Sequence, residues 1–440
     1  MFRYYSWLAF RSLRRNPVLT ALMVLAIALG IGATMTCFTV LYAMSGDPIP
    51  QKSTQLYAVQ IDTWGPKSHV GRDGTVHPDP VDQLTYKDSV ALMAAKQGMR
   101  QVAMHGTGGA ITPENSEVKP FQQGGRATFA DFFAMFDVPF RYGKGWTAAE
   151  DEARAAVVVL SKKLNEKIFG DVDSVGKSID LDGRQFRVLG VLEAWEPKPR
   201  FYDVTTGGFN EPDGYYIPFN YSVDNELPQW GNNNCFNDPG PGRQNYLNSE
   251  CVWTQFWVEL PDQAAFDKYK TFLDSYASEA QRSGRFSWPP NNRLRNVKEW
   301  LVSQEVVPDD AKVSVLLAFS FLIVCLVNTV GLMLAKFLGR SGEIGLRRAL
   351  GANKRALYAQ CLVESGAIGL AGGVLGLGLV WLGLAGMRGL LPEEMQSFAA
   401  LNLPMVTSTI ALAVLATLAA GLYPTWRAAQ VQPAWQLKSN

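Results

Sequence analysis

Four long runs without a charged side chain constrain the fold of this 440-residue chain more than any other feature. The first extends from Asn16 to Gly46, and the others lie between Lys312 and Lys336, between Glu364 and Arg388, and between Glu394 and Arg427. Each exceeds the roughly 20 residues that a helix needs to cross the hydrocarbon core of a bilayer. Buried helices of a soluble protein do not explain four such runs, so we predict four membrane-spanning helices. The first run is also longer than the apolar core of a cleaved signal peptide, about 7 to 15 residues, and we interpret it as a retained span.

The predicted organisation follows from these runs and from the soluble composition of the segment between the first two. The fold class is an α+β membrane protein, in which four transmembrane helices are combined with a large α+β domain between helices 1 and 2. The predicted segments are an amphipathic segment 1–16, spans 17–46, 312–336, 354–388 and 405–427, an external domain 47–311, a loop 337–353 that carries a short helix, an external loop 389–404 and a tail 428–440.

The positions of Lys and Arg predict how the chain crosses the membrane, because short cytoplasmic segments are enriched in these residues. The first 15 residues contain four arginines and no acid, and the connection from Lys336 to Arg355 has six basic residues against one acid, Glu343. We therefore expect both termini and this connection in the cytoplasm, and the large domain outside.

Alternating and helical patterns predict an α+β external domain, which we expect to be divided into two subdomains. The predicted strands are Gln55–Asp62, Arg100–Thr112, Ala155–Leu160 and Trp253–Leu260, with a hairpin over Gly176–Leu192 that turns at Asp182-Gly183. The predicted helices are Val81–Gln97, a short helix capped by Ser161 and ended by Gly170, and Asp262–Ser283. The segment Glu196–Glu250 has no periodicity and is long for a loop, so it is either functional or stapled.

Two of the five cysteines, Cys235 and Cys251, bracket the last part of that segment. They are either a disulfide or two free thiols, and an oxidising compartment outside the membrane favours the disulfide. Closure of a loop of this size contributes about 3 kcal/mol. The remaining cysteines, Cys37, Cys325 and Cys361, lie in or at the edge of spans, where they are typical apolar filler.

Several functions are excluded by what the residues lack. With 41 basic and 40 acidic residues, the chain has a net charge of only +1, which gives no electrostatic reason to bind nucleic acid. Gly170–Ser178 imitates a phosphate-binding loop but has one residue too many before Gly-Lys-Ser, and it leads into a hairpin where a helix is required. His69, His77 and His105 match no common zinc spacing. We predict no catalytic residue, metal or cofactor in this chain.

The connection between the second and third spans contains the strongest functional signal. Ser341 is suited to cap a helix, Glu343 complements its dipole in the first turn, and Gly351 is placed to end it. A helix of about nine residues is unstable alone and needs a surface to bind. One alternative is a basic connection that rests on lipid headgroups; we favour a protein-docking helix with an apolar side beside projecting arginines. The residues assigned to it are Glu343, Ile344, Gly345, Leu346, Arg347, Arg348, Leu350 and Gly351.

Two features of the third span leave alternatives open. The pairs Gly369/Gly373 and Gly372/Gly376 allow close helix approach, either to a second subunit or within one subunit. Glu364 either pairs with a nearby arginine or reaches the membrane interface.

Three strings resemble one known family, the FtsX-like, MacB-type ABC transporter permeases. The first is EIGLRRALGA, from Glu343 to Ala352, and the second is GLYPTWRAA, from Gly421 to Ala429, followed by Pro433-Ala434. The stretch Val157–Leu192 is similar to the periplasmic core domain of MacB-like proteins. The chain differs from MacB in that no fused ATPase domain precedes the first span, and in its cysteine-bracketed loop.

The resemblance implies a mechanism and a set of partners. A separate ABC ATPase subunit would bind ATP and Mg, and the helix around Glu343–Gly351 would be its coupling helix. A second permease, identical or paralogous, would complete the membrane unit in a bacterial inner membrane. The work would be efflux of peptides or small molecules, with a periplasmic adaptor and a TolC-like duct. Alternatives are an FtsX-like signal transducer that activates a periplasmic enzyme, and a lipoprotein-release permease; a membrane-anchored enzyme lacks a nucleophile here.

Overall fold

The computed structural model describes residues 11, 14–65, 79–113, 118–351, 353–388 and 403–430. The chain divides into two compact units: residues 46–306 form one, and residues 1–45 together with 307–440 form the other. Three predicted segments lie mostly outside the described residues: the amphipathic segment 1–16, the loop 389–404 and the tail 428–440. His69 and His77 also lie outside them.

The described residues form the helices and strands of an α+β membrane protein, which confirms the predicted fold class. The helices are α1 (Pro17–Met44), α2 (Tyr86–Ala95), α3 (Asp131–Met135), α4 (Ala148–Glu152), α5 (Lys162–Phe169), α6 (Phe219–Asp224), α7 (Arg243–Asn248), α8 (Gln263–Arg282), α9 (Val297–Ser303), α10 (Asp309–Leu338), α11 (Ser341–Ala349), α12 (Lys354–Arg388) and α13 (Leu403–Ala429). The strands are β1 (Leu56–Gln60), β2 (Leu84–Thr85), β3 (Arg100–Thr112), β4 (Phe121–Thr128), β5 (Phe140–Gly143), β6 (Val157–Leu160), β7 (Ser178–Leu181), β8 (Arg184–Leu192), β9 (Tyr215–Pro218), β10 (Gln229–Trp230), β11 (Val252–Glu259) and β12 (Arg293–Asn296).

Four of these helices, α1, α10, α12 and α13, are long and apolar enough to cross a membrane. They pack as a bundle, in which α1 contacts α10 and α12, and α13 contacts α12 and α10. A buried apolar cluster draws residues from all four helices, among them Ile27, Leu322, Val380 and Ala413. Hydrophobic side chains on the remaining faces, such as Leu415, stay exposed, as expected of surfaces that meet lipid.

The glycines of α12 serve packing inside this bundle. Gly369 and Gly373 face α13, whereas Gly372 and Gly376 face α1. A Cβ added at Gly372 would lie 2.6 Å from the side chain of Ile27, so only glycine allows this approach. Of the two alternatives left open by the sequence, the structure therefore supports packing within one subunit.

The domain of residues 46–306 is built on one connected path of strands. The expected division into two subdomains stays a prediction. The main path of strands is β12-β1-β11-β3-β4-β9-β6-β8-β5. Strand β3 joins the two halves, because residues 100–104 pair with β11 and residues 105–111 pair with β4. A boundary between subdomains would have to cut this strand.

Several local predictions in the domain are confirmed. Ser161 Oγ accepts a hydrogen bond from the Leu164 amide and caps α5. Strands β7 and β8 form the predicted hairpin, with φ of 51° at Asp182 and 75° at Gly183, as a type I′ turn requires. Because Gly176-Lys177-Ser178 leads into β7 and not into a helix, it has no phosphate-binding geometry.

The predicted helix over Val81–Gln97 begins later than its apolar pattern suggested. Thr85 Oγ1 accepts from the Asp88 amide, so α2 starts at Tyr86, and the residues before it form the short strand β2. The aperiodic segment 196–250 contains β9, β10, α6 and α7. These elements have two to six residues, which is too short for a periodicity to be visible.

The first part of that segment belongs to the buried interior. The guanidinium of Arg126 on β4 lies 2.7 Å from Asp203 and 2.7 Å from Asp213, and all three side chains are buried. Arg200 Nη1 lies 3.5 Å from Asp213. The buried set therefore contains two basic and two acidic groups. Such a buried set is stable only when its members remain paired, so the segment is held firmly against β4.

The last part of the segment is stapled. Cys235 and Cys251 form a disulfide, and the Trp64 indole donates to the Glu250 carbonyl at 2.7 Å. Residues between the cysteines are mostly exposed, but Arg243 lies over the ring of Tyr246. The staple therefore restrains a surface loop.

Removing this staple should expose the loop to protease. In C235S/C251S we expect tryptic cleavage after Arg243 to be at least tenfold faster, because closing a loop of about 15 residues contributes about 3 kcal/mol. Limited proteolysis of the full chain, read by mass spectrometry, measures the rate. C37A, which changes a cysteine outside the disulfide, is the control, and equal rates for all three proteins would contradict the prediction.

Asp151 gives the domain a pH dependence. Its carboxylate accepts from the Ala130 amide at 2.7 Å and from the Trp146 indole at 2.8 Å, yet burial raises the pKa of Asp151 to about 7. The folded domain therefore binds this proton more tightly than the unfolded chain does. The resulting stabilisation is complete at pH below about 4 and is lost as the pH rises through about 7. Buried His105 acts in the opposite direction, since burial lowers its pKa to about 4.

The contribution of Asp151 is isolated by comparison with D151N. We expect the melting temperature of the wild type, relative to that of D151N, to be higher at pH 5 than at pH 8. His105 is present in both proteins and cancels in this difference. E166Q, which removes an exposed carboxylate that does not contribute to the raised pKa of Asp151, should follow the wild type. A difference between wild type and D151N that does not depend on pH would contradict the assignment.

A candidate docking helix between the second and third long helices

The short helix α11 follows α10 after only Gly339 and Arg340. Arg340 occupies the N-cap position with φ of −107° and ψ of 12°, and no side chain caps the helix. The predicted cap, Ser341, is instead the first helical residue, so this prediction is wrong. A serine cap needs an extended backbone, and the two-residue connection makes a turn instead. The helix ends where the sequence predicts, because Gly351 has a φ of +96°, the left-handed conformation that commonly follows the last turn of a helix.

The inner side of α11 is anchored by Ile344. It packs on a buried cluster to which all four long helices contribute: Met23, Met333, Phe337, Cys361, Ile368 and Ala428. Gly345 beside it is also buried. A displacement of α11 would therefore disturb this cluster, in which all four long helices meet.

Charged residues fix the same helix at its sides. Arg347 Nη2 lies 2.7 Å from Glu343 Oε1, at the i, i+4 spacing, and Arg347 Nη1 donates to Gln360 Oε1 on α12 at 3.0 Å. Glu343 Oε2 accepts from Arg15 at 2.9 Å. Arg348 donates to the Ala429 carbonyl at 3.4 Å. The arginines predicted to project from the helix thus hold it to the bundle.

A buried ion pair lies directly beneath this end of the bundle. Lys336 Nζ on α10 is 2.5 Å from Glu364 Oε1 on α12, and it also donates to Thr20 Oγ1 on α1 at 3.3 Å. Arg340 Nη1 is 3.6 Å from the second oxygen of Glu364. The side chains of Lys336 and Glu364 are fully buried, so each depends on the other. The role of Lys336 could not be predicted from the sequence, where this lysine marks only the end of a charge-free run.

The outer side of α11 is apolar and open. Leu346 is 59% exposed and Leu350 is 80% exposed, and their i, i+4 spacing makes them neighbours on one face. The predicted apolar side therefore divides, with Ile344 inward and the two leucines outward. We call Leu346 and Leu350, with exposed Gly342 one turn earlier, the outer face of α11.

Known families match both units of the chain. The model of the MacB-like periplasmic core domain matches residues 20–273, more than half of the chain. The model of the FtsX-like permease C-terminal region matches residues 315–433, which include α11, α12 and α13. The chain belongs to the MacB-like, FtsX-like permease family. Both matched regions of this MacB-like permease are permease domains, so membership gives the chain the role of an ABC transporter permease with a periplasmic-type domain.

Curated relatives are similar over most of the chain. The macrolide export ATP-binding/permease protein MacB of Rhodospirillum rubrum is 27% identical over 84% of this chain and 51% of its own length. The pyoverdine export ATP-binding/permease protein PvdT of Pseudomonas fluorescens is 22% identical over 98% of this chain and 59% of its own length. This MacB-like permease thus spans about half to three fifths of the relatives that it matches. Among solved structures, the periplasmic region of MacB from Actinobacillus actinomycetemcomitans aligns with 59% of this chain and 96% of that chain, at 14% identity and a TM-score of 0.37.

The described residues of this MacB-like permease offer no grouping of three or more His, Cys, Asp or Glu that could hold a metal ion. His105 is buried, and its Nδ1 lies 2.9 Å from the Gly106 carbonyl. Cys37, Cys325 and Cys361 are free thiols in the long helices.

Proposed function

We propose that this chain is the membrane subunit of an ATP-driven ABC machine, and that a separate ATPase subunit binds ATP and Mg and docks on the outer face of α11. The observation that carries the proposal is the division of α11 into two sides. Exposed Leu346 and Leu350 offer apolar surface to a partner, while Ile344 and the arginines fix the helix to all four long helices. A partner that moves α11 moves the bundle.

The positions of basic residues support a cytoplasmic place for α11 and for both termini. The mechanism then has three parts. ATP-driven closure of the ATPase pair displaces α11, the Ile344 cluster passes the displacement to the long helices, and the periplasmic domain performs the work. A second permease copy or a paralogue completes the membrane unit, which we place in a bacterial inner membrane.

Efflux of peptides or small molecules is the work that we favour. The names of the relatives, which describe macrolide export and pyoverdine export, support this assignment. A periplasmic adaptor and a TolC-like duct would complete the path. Co-purification of an adaptor and a duct with the full chain would support efflux, whereas co-purification of a wall hydrolase would favour an FtsX-like transducer.

Photo-crosslinking tests the docking surface. A photoreactive amino acid at Leu350 should capture an ABC ATPase in intact membranes, identified by mass spectrometry. The control position is Leu422, which is exposed on α13 and should capture no ATPase. Capture of lipid alone from Leu350, or equal capture of the ATPase from both positions, would overturn the proposal.

A further inference from the structure

The domain of residues 46–306 contains a cavity of about 440 Å³, to which α2, α3, α4 and the start of β3 contribute. Its walls are largely apolar: Val90 and Met93 come from α2, Met99 directly precedes β3, and Phe129 directly follows β4. Val90 is 40% exposed and Met99 is 59% exposed, so solvent reaches these walls. Sites for small ligands have volumes of about 300 to 1,000 Å³. The cavity is therefore large enough for a small organic molecule.

Asp151 adds a buried acidic group to the lining of this cavity. The residue is only 7% exposed. Each of its carboxylate oxygens accepts one hydrogen bond, one from the Ala130 amide and the other from the Trp146 indole. A carboxylate has about four positions at which it can accept, so this one has room for further donors.

The charge of the Asp151 carboxylate is not balanced by a neighbour. Within the described ranges, no Lys, Arg or His forms an ion pair with it. Burial raises the pKa of Asp151 to about 7, and the carboxylates of Asp131 and Glu150 act in the same direction. A buried carboxylate is stable in its ionised form only when a cation compensates it. The group is therefore suited to a cation from outside the domain.

The other charged side chains of the lining leave this negative charge uncompensated. Arg100 Nη1 lies 2.8 Å from Glu259, so it is already paired. Lys96 is exposed, and Glu152 adds a further exposed carboxylate, while Asn220 from α6 is uncharged. The Asp and Glu side chains that the structure describes form no group that could hold a metal ion. Together with the apolar walls, these features favour an organic cation.

We propose that this cavity binds a small organic cation, whose ammonium group donates to Asp151 and whose apolar part contacts Met93, Met99 and Phe129. An ammonium group supplies both the positive charge and the donors that this carboxylate can still accept. The inference goes beyond the proposed function, because a ligand of this domain does not depend on what docks on α11. Its test therefore needs no ATPase.

The dependence of binding on pH tests the contact with Asp151. The probe is radiolabelled phenethylamine, whose ammonium group, like that of lysine, stays charged below about pH 9. Equilibrium dialysis against the full chain in lipid nanodiscs gives its dissociation constant, and empty nanodiscs correct for uptake by lipid. Because Asp151 is ionised only above its pKa, we expect the dissociation constant to be at least tenfold lower at pH 8 than at pH 5.

The neutral analogue 2-phenylethanol has the same apolar part without the charge. It should bind more weakly at pH 8, and its binding should not change with pH. D151N should weaken the binding of phenethylamine about tenfold at pH 8, as loss of a charge-assisted hydrogen bond does, and should remove the pH dependence. Equal binding of the two probes at pH 8, or the same pH dependence in D151N as in the wild type, would overturn the proposal.

A second pair of variants tests the cavity without changing the carboxylate. Ala148 and Ala149 are both exposed in the first turn of α4, but Ala148 lines the cavity and Ala149 does not. A148W should fill the space and weaken the binding of phenethylamine at least tenfold, whereas A149W should bind like the wild type. Equal binding by these two variants would reject the cavity as the site. ATPase capture at Leu350 would still test the proposed function independently.

Discussion

Replacing Leu346 and Leu350 with glutamate should lower the ATP hydrolysis that the chain stimulates in its ATPase by at least tenfold. Full burial of a leucine contributes about 1.5 to 3 kcal/mol, and each 1.4 kcal/mol changes an affinity tenfold. Both side chains are exposed in the isolated chain, so the substitutions should leave its insertion and melting temperature unchanged. The measurement is the ATPase rate of the captured subunit, reconstituted in vesicles with each variant.

L346M/L350M is the matched control, since it keeps the apolar surface and should keep most of the stimulation. R347E is a less informative test, because Arg347 binds Glu343 and Gln360 and its reversal disturbs the helix itself. We therefore expect R347E to lower the melting temperature as well as the ATPase rate. Full stimulation by L346E/L350E would show that the ATPase does not bind the outer face of α11.

Breaking the buried ion pair should give the largest loss of stability. E364L leaves Lys336 and Arg340 without their shared carboxylate, and removing one partner of a buried pair costs about 3 to 5 kcal/mol. K336M should cost less, because Arg340 still balances Glu364. The free energy of unfolding of the full chain in mixed micelles measures both effects.

The double variant K336M/E364L provides the control for this comparison. It removes both members of the pair, so its loss should be smaller than the sum of the two single losses, and the difference gives the coupling energy. S365A, next to Glu364, changes a hydroxyl that donates to the Cys361 carbonyl and should have a small effect. Losses that add would show that Lys336 and Glu364 do not stabilise one another.

Much of the fold could be predicted because membrane spans and hairpins have local signals. Charge-free runs identify the long helices, and Asp182-Gly183 identifies a hairpin without reference to the rest of the chain. The short strand β9 could not be predicted in this way. Its four residues are buried on both faces between β4 and β6, and so short a buried strand shows no alternation.

The sequence predicts where the docking helix lies in the chain, but not which of its faces points toward the bundle. The sequence shows that Ile344, Leu346 and Leu350 are apolar, but which of them points inward depends on how α11 is rotated against the bundle. That rotation is set by contacts with residues far along the chain, such as Gln360 and Ala429. The pairing of Lys336 with Glu364 is likewise a product of tertiary packing.

The long strand β3 has a consequence for how a stroke could be used. Residues 100–104 pair with β11 and residues 105–111 pair with β4, so a bend between residues 104 and 105 would leave both ladders of β3 intact. A pull along the strand, in contrast, would act on both ladders through one continuous backbone. We therefore expect the two halves of the sheet to move together under tension along β3 and to be free to bend at residues 104 and 105.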